Sequence, residues 1–341
     1  MIISMVIAII VMAAYVLDYF FAEVKRFHPL VGFGFLTTQL EKKLNPEQTL
    51  TSKASAVDKT NKASHIGNTG KWSPRLLGSL AWLLLCLPLP IFYYYFHQNT
   101  LLFWCLDALI LYFAIGLKSL ELHALQIFHP LEKNDLATAQ HFCGYLVSRN
   151  TAQLSEQEIS RATVESVLEN GHDAAIASFV WFIIGGAPLV ILHRLANTLD
   201  AMWGYKNQHF LHFGWCAARM DDLLGWPSAK ITALLYACQV KYSFTKMAYA
   251  LKNGYQQSQH YKSLNGGWVM ATGASVLNFT LGGTAIYHGK KVTSPLLGCG
   301  EPVTRSDISR SIKLVNSAAI LFISICFFSA LLHAIYTSNY S

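Results

Sequence analysis

Five apolar runs, each about as long as a bilayer core is thick, restrict this chain more than any other feature. They are Met1–Phe21, Leu76–Phe96, Leu101–Leu117, Ala174–His193 and Val315–Tyr336. About 20 helical residues cross a hydrocarbon core. With no water there to bond the backbone, a crossing segment must satisfy its own amides, as a helix does. The remaining composition agrees. Hydrophobic residues make up 53% of the 341 and charged residues 13%, against about 25% charged in a soluble domain. So few charges cannot coat a water-facing surface of this size. Disorder, collagen and coiled coil are excluded, and a soluble enzyme is disfavoured. No Lys or Arg precedes Lys25, so the first run reads as a retained helix and not a cleaved signal. Ile231–Val240 and Trp268–Tyr287 are weaker, small-residue-rich candidates for buried or re-entrant helices. The expected fold is all-α. It is a polytopic integral membrane protein with five to seven membrane-embedded helices and amphipathic cytoplasmic helices, forming a single domain over residues 1–341.

Charge gives the orientation. Residues 23–75 hold nine Lys and Arg against four acids, while the 97–100 loop between two runs holds none. Positive-inside reasoning places 23–75, and then 118–173, in the cytoplasm. Residues 45–75 are rich in Ser, Thr, Lys and Asn and read as a flexible basic linker. Much of the formal +7 of the chain is therefore a topology signal. The seven cysteines include no CxxC pair and read as reduced structural residues. In the polar 118–173 segment, Thr151 and Ser155 both read as helix caps, the latter with Glu158 three residues on. After it, Ile159, Ala162, Thr163, Ser166, Val167 and Asn170 share one helical face.

The chain contains no P-loop, no GxGxxG after a strand, no HExxH and no GxSxG. Its histidines, His172 among them, lack metal-ligand spacing. What remains is a set of polar clusters beside apolar runs. Glu165, Glu169 and Asp173 recur at spacing four behind Arg161, forming one stripe that runs into an apolar span. Three carboxylates in a row repel one another unless a cation neutralises them. The stripe is either a magnesium or general-base site, or a solvated amphipathic face. Arg194, Asn197 and Asp200 can share one side of a helix that Gly204 ends before Tyr205. Arg219, Asp221 and Asp222 form the next cluster, which can equally be a surface ion pair. Asn265-Gly266-Gly267-Trp268 allows close backbone approach or is a turn. Gly282-Gly283 lead to Tyr287, His288, Lys290 and Lys291, where the lysines can meet phosphate or lipid head groups.

In order, these clusters resemble the signature blocks of the CobD/CbiB family of cobalamin biosynthesis, the adenosylcobinamide-phosphate synthases. The carboxylate string runs from Arg161 to Asp173. The blocks at Asn197-Thr198-Leu199-Asp200, Phe213-Gly214 through Asp221-Asp222, Asn265 to Trp268 and Gly282 to Gly289 follow it. Asp18, His28-Pro29, Gly32 and Glu41 resemble the opening block. The chain departs in four places. Asp18 precedes Tyr-Phe-Phe-Ala-Glu in place of Gly-Asp-Pro. Arg149-Asn150-Thr151 replaces Arg-Asp-Thr, Glu169-Asn170-Gly171 replaces Glu-Asn-Thr, and Asn265-Gly266-Gly267-Trp268-Val269 replaces Asn-Ala-Gly-Trp-Pro.

The resemblance implies a multi-pass enzyme of the cell inner membrane that joins adenosylcobyric acid to aminopropanol or its O-phosphate through an amide. It further implies ATP and Mg2+, with the corrinoid as substrate. Possible homo-oligomers or complexes with other corrinoid-assembly membrane enzymes are expected partners, and nucleic acid is not. Glu165, Glu169, Asn170 and Asp173 are the expected catalytic set. Arg194, Asn197, Asp200, Tyr205, Arg219, Asn265, Trp268, Tyr287, His288 and Lys290 are the expected substrate-binding residues, and Asp221 and Asp222 the expected metal ligands. Carboxylates of the first stripe are further candidates for magnesium-nucleotide. Trp181, Trp203 and Trp215 offer a surface for the flat corrinoid. The alternative is a catalytically inactive membrane sensor on the same fold, as in the relative linked to β-lactamase induction. A transporter would need two matching halves, and none is visible. One question stays open. If Ala174–His193 crosses fully, the blocks on either side of it face opposite aqueous phases, unless the Gly185-Gly186-Ala187-Pro188 break makes it re-entrant.

Overall fold

The computed structural model describes residues 2–24, 28–45, 73–147, 150–240, 243–287 and 290–340. Most of the expected 45–75 linker lies outside them. In chain order the helices are α1 (Ile2–Phe21), α2 (Pro29–Leu44), α3 (Pro74–Cys86), α4 (Pro88–Phe96), α5 (Leu101–Ala114), α6 (Leu117–Glu132) and α7 (Leu136–Leu146). Then come α8 (Glu156–Gly171), one π-helical turn (His172–Ile176), α9 (Ala177–Trp203), α10 (Trp215–Ala237), α11 (Phe244–Ser258) and α12 (Leu264–Leu277). A small sheet, β1 (Phe279–Tyr287), β2 (Lys290–Gly298) and β3 (Glu301–Pro302), precedes the long α13 (Ser306–Tyr340).

Among the described residues, five helical stretches are long and apolar enough to cross a membrane. They fall on the five expected runs, with α5 and α6 forming one such stretch. Ile231–Val240 lies mostly within α10. The other weak candidate, Trp268–Tyr287, is not one helix. Asn278 takes a left-handed conformation with φ 60° and ends α12, and a strand follows. Local chemistry explains several helix starts. Ser155 and Glu158 form the expected capping box on α8. Thr151 starts no helix; its hydroxyl donates to the Gln140 carbonyl at 2.7 Å. The cysteines form no disulfide among the described residues.

The chain divides into two compact units. The first comprises residues 1–23, 99–184 and 225–341, and the second 24–98 and 185–224. The chain passes from the first to the second within α9. There Gly185 (φ −153°, ψ 25°) and Gly186 (φ 66°, ψ −161°) leave the helical region. A positive φ at Gly186 excludes most side chains, and Pro188 suits a resumed helix start.

In the first unit, α8 packs against α6, α7, α12 and α13. Its buried face carries Ile159, Ala162, Thr163, Ser166 and Val167, as their spacing requires. Phe179 stacks on Phe322 of α13, ring centres 5.9 Å apart. Gly171 is a point of close packing. A Cβ there would lie 2.7 Å from a Val315 methyl and 2.9 Å from the Tyr236 hydroxyl. Tyr236 Oη in turn donates to the Leu168 carbonyl at 3.1 Å. Asp18 of α1 is buried, and its Oδ2 accepts the Lys118 N–H at 2.9 Å. It thus caps the first turn of α6, which needs acceptors for its unpaired amides.

The sheet belongs to the same unit. β1 and β2 are antiparallel from Thr280↔Gly298 to Tyr287↔Lys290, with a bulge between Leu281 and Gly283, and β3 runs parallel to β1. Gly282 (φ 77°) and Gly283 (φ 82°) form that bulge, a geometry that favours glycine. Gln257 of α11 holds β2 from both sides of one residue, accepting the Gly298 N–H at 2.6 Å and donating to its carbonyl at 3.0 Å. In the second unit, α2 packs on α3. Buried Glu41 accepts from His209 Nε2 at 2.6 Å, and Trp203 meets Phe213 edge to face at 5.0 Å.

Gly171→Ala should lower stability despite alanine's better helix propensity, because overpacking a tight core costs about 1–3 kcal/mol. Thermal unfolding of the purified protein in detergent measures it, and an unchanged midpoint would show that Val315 can move aside.

Candidate active site

The first unit holds three of the expected blocks, those at Arg161–Asp173, Asn265–Trp268 and Gly282 onward. The stripe on α8 does not act uniformly. Glu165 Oε1 accepts the Gly282 N–H at 2.9 Å, and Arg161 Nη2 donates to the Thr284 carbonyl at 2.8 Å. Both side chains therefore dock the β-bulge onto α8. One turn further, Glu169 stands against Gly266 of α12. A Cβ at Gly266 would come within 2.5 Å of Glu169 Oε1, so the glycine of this block makes room for the carboxylate. Glu165, Asp173, His172 and Lys262 are its charged neighbours. Asn170 turns its amide back onto its own helix, with Nδ2 2.9 Å from both the Ser166 carbonyl and its hydroxyl.

Beyond Asn170 the helix widens into the π-helical turn, a local distortion frequent at functional sites. His172 opens it and is 1% exposed. Its Nδ1 lies 2.7 Å from Asp173 Oδ1 and its Nε2 2.9 Å from Ser228 Oγ on α10. Gly225 borders the same spot, since a Cβ there would meet Asn265 Nδ2 at 2.8 Å and His172 Cε1 at 3.7 Å. Asn265, Asp173 and Glu169 thus gather around His172. Asp173 keeps about 30% of its side-chain surface exposed.

An aromatic cluster completes this group. Lys230 Nζ lies 2.9 Å from the Trp226 ring centre and 4.8 Å from that of Trp268. Trp268 also meets Tyr255 edge to face at 5.5 Å. Burial pushes the Lys230 ammonium below its ordinary pKa, because a cation loses hydration there. The ring faces offset part of that loss. Trp268 Nε1 is buried without a hydrogen-bond partner.

The second unit holds the other cluster. Arg194 Nη1 donates to Asn197 Oδ1 at 3.4 Å, and Asn197 Nδ2 donates to Asp221 Oδ1 at 3.3 Å. Residues from α9 and α10 that lie 27 positions apart are thereby linked. A Cβ at Gly204 would overlap Asp200 Oδ1 at 1.9 Å, so Asp200 also needs its neighbouring glycine. Tyr205, Arg219 and Asp222 are exposed. Burial nevertheless raises the Asp222 carboxyl pKa, with Arg219 and Lys206 pulling the other way.

Trp203 corrects the expected corrinoid surface. It is 1% exposed and part of the core, so no ligand reaches its face, whereas Trp215 is exposed. His288 and the side chains of Tyr287 and Lys290 lie outside the described residues. Among the described residues, no three His, Cys, Asp or Glu side chains form a cation cage. The sequence reading passed over His172, Ser228, Trp226, Lys230 and Lys262. Only the i, i+4 spacing of Trp226 and Lys230 was visible as a signal; of the partners of His172, Ser228 is 56 residues away and Asp173, its immediate neighbour, reads in the sequence as the end of the carboxylate stripe.

These clusters lie on or beside helices long and apolar enough to cross a membrane, as in a membrane protein. The CobD/Cbib protein family model matches residues 11–315, and the chain belongs to that family, whose role is in cobalamin biosynthesis. A cobalamin biosynthesis protein CobD from Chromobacterium violaceum is 40% identical over 323 residues, covering 94% of this chain and 95% of the relative. The CobD of Stutzerimonas stutzeri is 39% identical, covering 95% and 98%. That of Halalkalibacterium halodurans is 32% identical, covering 94% and 95%. No solved structure matches the chain.

Two outcomes follow from the geometry. Glu165→Ala should speed hydrogen exchange at the Gly282 amide, since a lost charged hydrogen bond costs about 1.5–3 kcal/mol. Glu165→Gln, which keeps an acceptor, should change it less. For Asp222, the raised pKa means the carboxylate form is lost, as pH falls, above the ordinary aspartate range. If that form is needed, the acid limb of the activity profile lies correspondingly high. Arg219→Gln should move it higher still, because Arg219 favours the charged form. A limb that does not move on this substitution would separate Asp222 from the activity.

Proposed function

We propose that this chain is the amide-forming ligase of the pathway, joining the carboxylate of adenosylcobyric acid to aminopropanol or its O-phosphate. The observation that supports this best is the group in the first unit. There two acids, Glu169 and Asp173, sit with His172 and Asn265 beside the Lys230–Trp268 cluster. A carboxylate is a poor acyl donor, so the reaction needs two things from a protein: activation of that carboxylate and removal of a proton from the amine.

A nucleoside triphosphate with magnesium supplies the activation, converting the carboxylate to an acyl phosphate with a better leaving group. Asp221 and Asp222 would hold the magnesium, and Arg194 and Arg219 are the cations available to phosphate oxygens in that unit. Asp173 and Glu169 would accept the proton that the amine gives up as the C–N bond forms. Trp226 and Trp268 offer flat apolar surface suited to a corrinoid face, with Lys230 between them for an anionic group. The 23–75 segment would lie on the cytoplasmic side of the inner membrane, as its excess of Lys and Arg suggests.

Membranes from a strain lacking the family enzyme, supplied with this chain, should form adenosylcobinamide or its phosphate. Glu169→Gln or Asp222→Asn should abolish product, each by at least about 100-fold. Full activity in both variants would overturn the assigned roles. Failure of the well-expressed wild type to complement would favour a sensor on the same fold.

A further inference from the structure

His172 is an almost fully enclosed ionisable group beside the reacting cluster, and its two ring nitrogens are both engaged. Nε2 faces Ser228 Oγ at 2.9 Å and Nδ1 faces Asp173 Oδ1 at 2.7 Å. Ser228 is fully buried, and its hydroxyl also lies 3.0 Å from the Gly225 carbonyl, to which it can donate. Counting hydrogens restricts what this chain of contacts can be. A serine hydroxyl has one hydrogen to donate. If it goes to Gly225, Nε2 must be the donor to Ser228, and Nδ1 meets Asp173 through a proton on one or the other. If it goes to Nε2, Nδ1–H donates to an ionised Asp173. In either arrangement one proton lies between Nδ1 and Oδ1.

The ring is clamped at the other end as well. Ser228 is fixed on α10, where Thr232 Oγ1 donates to its carbonyl at 2.8 Å. Gly225 leaves no Cβ to crowd His172 or Asn265. His172 has almost no exposed surface, so it cannot touch a substrate, while Asp173 is partly open. Neighbouring helical side chains diverge by about 100°, and within this π-turn the imidazole faces inward toward α10 while the carboxyl lies at the accessible edge.

We propose that His172 is a positioning residue for the amide-forming step, holding the Asp173 carboxyl in the orientation that takes the proton from the amine. This rests on the ligase reading above. In the step, the amine nitrogen forms the C–N bond, the acyl carbon releases inorganic phosphate, and one N–H proton passes to Asp173. His172 exchanges no atom with substrate. Its contribution is to keep Oδ1 engaged, so that the carboxyl cannot rotate away or close onto its own backbone.

The test uses the full-length protein in detergent with adenosylcobyric acid, ATP, magnesium and aminopropanol O-phosphate, or aminopropanol. His172→Ala should lower kcat about 100-fold, the size of effect that loss of alignment produces, with KM for the amine within about two-fold. His172→Asn retains an N–H near the Nδ1 position and should recover most of that loss. Ser228→Ala should give an intermediate fall. On an Asp173→Asn background, adding His172→Ala should cost little more, because the two act as one unit. Unchanged kcat in His172→Ala overturns the proposal. So do equal losses in the Ala and Asn variants that track lowered melting temperature. An inactive wild type with either amine overturns the ligase reading and this proposal together; an active wild type with insensitive variants overturns this proposal alone.

Discussion

An ionised or strongly polar side chain beside an apolar helix has to find its partner inside the protein, because there is little water to serve. Much of the arrangement around the site follows from that demand. Asp18 takes the Lys118 amide, Glu165 takes the Gly282 amide, Asp173 takes His172, and Asn197 bridges Arg194 to Asp221. Three of these bonds, Asp18 to Lys118, Glu165 to Gly282 and Asn197 to Asp221, join elements separated in the chain. The polar groups near the membrane segments therefore hold helices, hairpin and π-turn in register, and only some of them are left to face a substrate.

This division changes how the carboxylate stripe is understood. On a straight helix Glu165, Glu169 and Asp173 are three equivalent acids. In the fold they have three environments: Glu165 fastens a hairpin, Glu169 stands in a space left by Gly266, and Asp173 is tied to the buried imidazole of its neighbour His172 at the start of a π-turn. Like charges in one row repel; Glu165 and Asp173 each have a partner of their own, and Lys262 is a cation near Glu169. Arg161, the cation expected to balance the row, is instead spent on a strand carbonyl.

Glycine is the other recurrent device, used where backbone or carboxylate must come close. Gly171 admits Val315 and Tyr236, Gly266 admits Glu169, and Gly225 admits Asn265. Small residues at helix contacts allow close approach where no hydrophobic force from water drives association. Two of these glycines lie within or next to the signature blocks, which is why those blocks combine glycine with acids and amides. Gly171, where the family usually has threonine, belongs to the packing against α13 and not to the catalytic cluster.

The periodicity and length of the apolar runs were enough to locate the five candidate spans, the buried face of α8, the capping box at Ser155 and the break at Gly185–Gly186. All of these depend on residues within a few turns of one another. The order of the polar blocks was enough to point to the family. The sheet was not foreseeable, since Trp268–Tyr287 is apolar and rich in small residues, a pattern shared by a buried helix and a strand; a left-handed Asn278 made the difference. Nor could the linear chain say that His172 would find Ser228, that Glu165 would find Gly282, or that Trp203 would be sealed in a core. Those pairings are set by how helices pack, with partners 56 and 117 residues apart, and no local pattern encodes a contact across such distances.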